Sequence, residues 1–166
     1  SYSVDSKSEL AKLIEMVPVE GTEISVRFKL PVAGAAYNFG AKFGATVDLA
    51  AELLKTVAEA GFIPSLTFHP GTQCTDPMAW DSYLRAGAEI CALSRVKAVR
   101  LNVGGGFPNH RLHSEVPQLD AIFTLIDRVA TEAFGEDRPE LVCEPGRGLV
   151  GDAFAFIDPV FSSGVY

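Results

Sequence analysis

Four short stretches of this 166-residue chain carry the side chains best suited to chemistry. They are Arg27 with Lys29, His69 followed by Gly71 and Thr72, the run Gly104, Gly105 and Gly106, and Glu144 followed by Gly146 and Arg147. Together they supply an imidazole that can stack or exchange a proton, a carboxylate, guanidinium groups, and a glycine run with open backbone N–H groups. Backbone donors and a bidentate guanidinium suit a phosphate. A carboxylate suits the nitrogen of a basic ring. The set therefore points to a ligand with a phosphate at one end and a basic or aromatic ring at the other.

Taken singly, each piece has a plainer reading. The glycine run fits a bare tight turn, and Phe107-Pro108 interrupts any GxGxxG dinucleotide pattern. His69 fits a partly buried packing residue. Glu144 and Arg147 fit a local ion pair across a Pro-Gly turn, which contributes little when exposed. Cys74, Cys91 and Cys143 are expected as small hydrophobes rather than nucleophiles. His110 and His113 flank Arg111 in what reads as a solvated loop, and no metal site is expected there.

What turns the pieces into a set is the order of the elements that carry them. Ser6 and Glu9 form a Ser-x-x-Glu capping box ahead of Leu10, Leu13, Ile14 and Val17 at helical spacing, with Pro18 just past the end. Residues 23–28 alternate as a strand, and 31–44, rich in glycine, read as a long loop. Val47, Ala50, Ala51, Leu54 and Val57 mark a second helix closed by Gly61, and 62–69 is a β-rich run. Asp76-Pro77 reads as a helix cap followed by proline at the first helical position, opening a helix to about Leu93. Residues 96–103 read as a strand, Leu119, Ile122, Ile126, Val129 and Ala133 as a helix, and 140–143 as a short apolar strand; at the start of the chain, 2–4 is a short apolar segment.

The order is β-α-β-α-β-α-β-α-β, which implies parallel strands joined by right-handed crossovers. In such a sheet the strand C-terminal ends share one face, so the four stretches converge on one mouth. An open doubly wound sheet and a (β/α)8 barrel both fit the alternation. A full barrel takes about 250 residues, so on the barrel reading the chain is a partial (β/α)8 TIM-like barrel of about five strands.

Composition narrows the function classes. Lys and Arg number 14 against 21 Asp and Glu, a net charge of −7, which argues against a nucleic-acid or anionic-membrane partner. No apolar run approaches the ~18–20 residues of a membrane span, and the N-terminus has no signal-peptide core. Three widely spaced cysteines without a CxxC pair suggest reduced thiols and a cytoplasmic location.

Four motifs in order then carry a family resemblance. Thr67-Phe-His-Pro-Gly-Thr-Gln-Cys-Thr-Asp-Pro77 resembles the FHxGSxC-TDP stretch of the pyridoxal-phosphate-dependent decarboxylases of the ornithine and diaminopimelate group. Leu101-Asn-Val-Gly-Gly-Gly-Phe-Pro108 resembles their LDxGGGFP, Cys143-Glu-Pro-Gly-Arg147 their EPGR, and Ala41-Lys-Phe-Gly-Ala45 their KFGA. The resemblance runs over about 1–156 and implies an alanine-racemase-like barrel that binds pyridoxal 5'-phosphate; 157–166 departs from it as a tail or displaced segment.

The resemblance also implies roles. His69 would stack on the pyridine ring, and Glu144 would face the ring nitrogen and keep it protonated, so that the ring accepts electrons as CO2 leaves. Gly104, Gly105, Gly106, Gly146 and Arg147 would hold the phosphate, with Thr72 where the family usually has serine. Arg27 matches an arginine near the cofactor, and Lys42 a lysine near the interface of a homodimer. The implied activity is decarboxylation of a basic amino acid, ornithine first, with lysine or diaminopimelate as alternatives, placing the protein in polyamine biosynthesis. The family's Schiff-base lysine lies on a strand that would precede Tyr2, and its C-terminal β domain would follow, so the chain alone is expected to be inactive. A non-catalytic homologue that regulates polyamine metabolism or carries the cofactor is the competing expectation, and a purely structural α/β domain the third.

Overall fold

The computed structural model describes residues 1–30, 43–72, 74, 76–108, 119–146 and 149. Among the described residues, five strands alternate with four helices: β1 (Tyr2–Val4), α1 (Lys7–Met16), β2 (Glu23–Arg27), α2 (Val47–Glu59), β3 (Ile63–Thr67), α3 (Met78–Ser94), β4 (Arg100–Asn102), α4 (Leu119–Phe134) and β5 (Glu140–Val142). A short 3-10 turn, Gly135–Asp137, joins the last helix to the last strand.

The helix starts follow the capping chemistry read from the sequence. Ser6 Oγ accepts the N–H of Glu9 at 3.3 Å, and Thr46 Oγ1 accepts that of Leu49. Such side chains satisfy donors that the first helical turn leaves without partners. At α3, Asp76 Oδ1 accepts the Met78 N–H at 2.9 Å, so Asp76 makes the capping bond and the helix begins one residue after Pro77.

All four strand pairings are parallel, and the strands lie side by side in chain order. A doubly wound sheet reverses its strand order at a switch point. No reversal occurs among the described strands, so they do not follow the doubly wound alternative and the partial barrel stands. The registers explain the layering. Val4, Val26, Leu66, Leu101 and Leu141 align across the sheet, while the next row is Ser3, Ser25, Ser65, Arg100 and Glu140. With a side-chain period of two, one face is apolar and the other polar.

Helices cover the apolar face, each packing against the next: α1 on α2, α2 on α3, α3 on α4. Ile24, Val26, Phe28, Leu53, Leu54, Leu66, Leu84, Ile90 and Leu101 are buried between the layers. Each such side chain contributes about 1.5–3 kcal/mol on leaving water. On the polar face Arg100 reaches over β3 to Glu23 and also pairs with Glu140 at 2.9 Å.

One strand is shorter than its sequence suggests. Residues 96–103 were expected as a strand, but only Arg100–Asn102 pair as one. The Val96 N–H bonds back to Cys91 O and Ser94 Oγ, which commits that segment to closing α3. Arg95 sits there in the left-handed region with φ 57°. The loop expected over 31–44 lies almost wholly outside the described residues; its base is an isolated bridge between Phe28 and Ala45.

Candidate active site

Past the C-terminal ends of β3, β4 and β5 the chain forms a cleft of about 190 Å³, lined by His69, Thr72, Gly105, Gly106, Phe107, Glu144, Pro145 and Gly146. Three stretches separated by tens of residues meet here because parallel strands in one order deliver their ends to one rim.

The glycine turn is the floor, and the neighbouring backbone leaves no room for a side chain. A Cβ on Gly104 would lie 2.2 Å from Phe68 O, one on Gly105 2.4 Å from Glu144 O, and one on Gly106 1.8 Å from Gly71 O. Gly104 and Gly106 also have φ of +72° and +79°, a region L side chains enter at a cost. The three glycines thus let the segments after β3 and β5 close onto the turn from both sides. Hydrogen bonds lock the closure: Glu144 N–H donates to Gly104 O at 2.8 Å, and Cys74 N–H donates to Gly106 O at 2.8 Å. Among the described residues, the N–H groups of Gly105 and Gly106 meet no acceptor. Backbone whose hand alternates in this way brings successive N–H groups to one side, a setting that takes an anion.

His69 stands beside this floor. Its Nδ1 accepts the Gly71 N–H at 3.1 Å, so the neutral ring carries its proton on Nε2. Burial pushes the imidazole below its ordinary pKa; the Arg27 charge adds to the shift and the Glu144 carboxylate opposes it. His69 is therefore uncharged at neutral pH. A neutral ring can lie against a cationic heterocycle without like-charge repulsion. Glu144 is exposed at the rim, the position a carboxylate needs to meet a ligand that enters from solvent.

Arg27 reaches the site only through its field. It projects at the end of β2, with its guanidinium 5.6 Å from the Phe43 ring centroid, and it does not line the cleft. Gly104 does not line it either; it lies beneath, against Phe68 and His69. Arg147, Lys42, His110 and His113 lie outside the described residues. The Cys74 thiol, pushed up by burial, stays protonated and donates to Asp76 O at 3.4 Å, in line with a packing role. Among the described residues no cluster of His, Cys, Asp and Glu could hold a metal ion, and no helix is long and apolar enough to cross a membrane.

Two contributors were not singled out from the sequence. Asn102 Oδ1 accepts the Gly104 N–H at 2.9 Å, and the Trp80 indole N–H donates to Val103 O at 3.3 Å. Asn102 was legible in part, as a polar residue two positions before the first glycine of the turn. Trp80 lies 23 residues upstream on a helix, and no local pattern ties it to the turn.

The arrangement fits a phosphorylated pyridine: anion donors on the floor, a neutral flat ring on one wall, and a carboxylate at the rim. Comparison with known proteins agrees. The family model described as "Pyridoxal-dependent decarboxylase, pyridoxal binding domain" matches residues 1–151. An ornithine decarboxylase of Caenorhabditis elegans is 28 % identical over 158 residues, covering 92 % of this chain and 36 % of that protein. Other relatives are named lysine/ornithine decarboxylase and diaminopimelate decarboxylase. The arginine decarboxylase of Paramecium bursaria Chlorella virus superposes with a TM-score of 0.72 at 26 % identity, covering 87 % of this chain and 39 % of that one. SrLDC in complex with PLP and cadaverine superposes with a TM-score of 0.70 at 27 % identity, covering 87 % and 36 %. The chain thus spans well under half the length of the curated relatives it matches.

Proposed function

The chain belongs to the pyridoxal-dependent decarboxylases, within their pyridoxal-binding domain, and from that membership we propose that the protein carrying it removes the α-carboxylate of a basic amino acid. The observation that supports this most directly is the single cleft that joins the glycine turn, His69 and Glu144. Pyridoxal phosphate, when bound, supplies an electron sink for the charge left behind as CO2 departs.

Each residue then has a task of its own. The N–H groups of Gly105 and Gly106, with Thr72 beside them and Arg147 following, bind the phosphate dianion. These donors would hold the cofactor at its phosphate end, leaving His69 and Glu144, which line the same cleft, to set the ring. His69 packs on the ring face; its Nδ1 bond to Gly71 holds the imidazole plane in place. Glu144 faces the ring nitrogen and holds a proton there, since a carboxylate stabilises the protonated, more electron-withdrawing form. Burial, helped by the Arg27 charge, keeps His69 neutral, which leaves Glu144 as the charge that the ring nitrogen would meet.

Ornithine is the first substrate to test, with lysine and diaminopimelate next, in keeping with the names of the relatives. The cofactor, a homodimeric state and a cytoplasmic place in polyamine biosynthesis belong to this same reading. The test is release of CO2 from these three amino acids by the full-length protein, for the wild type and for Glu144→Gln. The variant should bind the cofactor and lose most of its turnover, about 10²-fold or more for loss of a group that acts in the transition state. Equal turnover in Glu144→Gln would refute the assignment of Glu144. No CO2 from any of the three would refute the substrate class.

A further inference from the structure

Glycine-rich turns flip their peptide planes cheaply, so a turn that must aim N–H groups at an anion needs something to hold the planes still. Here the holding is done by side chains outside the cleft. We propose that Trp80 and Asn102 are positioning residues that grip one peptide unit, Val103–Gly104, and thereby aim the donors of the glycine turn. The inference rests on the reading of that turn as the cofactor's phosphate site.

The two side chains hold opposite ends of the same plane. The Trp80 indole N–H donates to Val103 O at 3.3 Å, and Asn102 Oδ1 accepts the Gly104 N–H at 2.9 Å. A trans peptide is rigid and planar, so contacts at its oxygen and its hydrogen together set its orientation. The next plane is held at its oxygen, where Gly104 O accepts from Glu144 N at 2.8 Å. The Gly105 N–H belongs to that plane and points the opposite way from Gly104 O. Gly106 O is likewise taken by Cys74 N. Carbonyl oxygens at 103, 104 and 106 are thus all committed to protein donors, and none of them can turn to repel an anion.

Trp80 does more than donate one bond. It is fully buried on α3, and its ring stacks on Phe107 with centroids 5.1 Å apart and planes 22° apart. Val103 and Phe107 flank the three glycines. One rigid side chain therefore fixes both ends of the turn from beneath, and Phe107 is backed in turn by Phe123 at 5.1 Å.

The test compares two ligands that differ only in the phosphate. Equilibrium dialysis of pyridoxal 5'-phosphate and of pyridoxal would be run on the full-length apoprotein, wild type, Trp80→Phe and Asn102→Ala. Phenylalanine keeps an aromatic ring against Phe107 and removes the indole donor; alanine removes the acceptor at the other end. The preference for the phosphorylated ligand should fall by about tenfold in each variant, the size expected for one net hydrogen bond, with pyridoxal affinity within about twofold of wild type. Because both residues grip one peptide, the double variant should lose little beyond either single one. A merely structural role would weaken both ligands together and leave their ratio unchanged, and that result overturns the proposal. If Trp80→Phe fails to fold, Asn102→Ala decides by the same ratio. A wild-type protein with no preference for the phosphate would instead refute the reading of the turn itself.

Discussion

Replacing Gly106 with alanine would put a methyl group where the structure has a carbonyl. The added Cβ would sit 1.8 Å from Gly71 O and 3.0 Å from Gly71 C, both backbone atoms that cannot rotate aside. The residue also has φ of +79°. Gly135 isolates the second effect from the first, since its φ is +55° and a Cβ there meets nothing within 4 Å. The left-handed backbone alone costs an alanine about 1–2 kcal/mol at either position. Overlap with fixed backbone adds about 1–3 kcal/mol, the usual range for overpacking. At roughly 2–4 °C per kcal/mol for a domain of this size, Gly106→Ala should melt about 2–12 °C below Gly135→Ala. Affinity for pyridoxal 5'-phosphate should fall with it, because relief of the overlap moves the segment after β3 away from the turn and spreads the donors. Gly135→Ala, at the far end of α4, should bind normally. Thermal melts and cofactor dialysis on the full-length variants decide the matter. Equal melting temperatures and equal affinities for the two variants would refute the argument that close approach, rather than backbone conformation, requires glycine at the floor.

Other consequences follow from single residues. The folded protein holds His69 with a lowered pKa, so folding favours its neutral form; that contribution is fully present above the unfolded value, about 6.5, and is lost as pH falls through the lowered one. Denaturant midpoints measured from pH 7.5 to pH 5 should therefore fall more steeply for wild type than for His69→Gln, and parallel profiles would contradict the shift. Arg95 occupies a left-handed helix end with φ 57°, where glycine is preferred. Arg95→Gly should raise Tm, by about 0.5–1 kcal/mol of stability after the flexibility of glycine is set against the relieved strain. Arg95→Ala keeps the strain and serves as the control; an alanine variant as stable as the glycine variant would refute the account.

Much of the fold was legible because it depends on near neighbours in the chain. The cap at Ser6, the apolar spacing of Leu10 and Leu13, and the alternation over Glu23–Arg27 act within a turn or a pleat, where sequence distance and spatial distance coincide. The strand expected over 96–103 came out short for the opposite reason. Val96 has β propensity, but its N–H is committed to Cys91 O and Ser94 Oγ at the end of α3 and is not free to join the ladder.

The site divides in the same way. Residue types alone, with the alternation that sends parallel strand ends to one rim, determined that His69, the glycines and Glu144 would meet and that their company suits a phosphorylated ring. Which glycine faces which carbonyl, that Arg27 acts from outside the cleft, and that an indole on α3 steadies a peptide beyond β4 were decided only by the tertiary structure. Those contacts join residues far apart in the chain, and their distances depend on how helices and strands pack, a property of the assembled layers rather than of any local pattern.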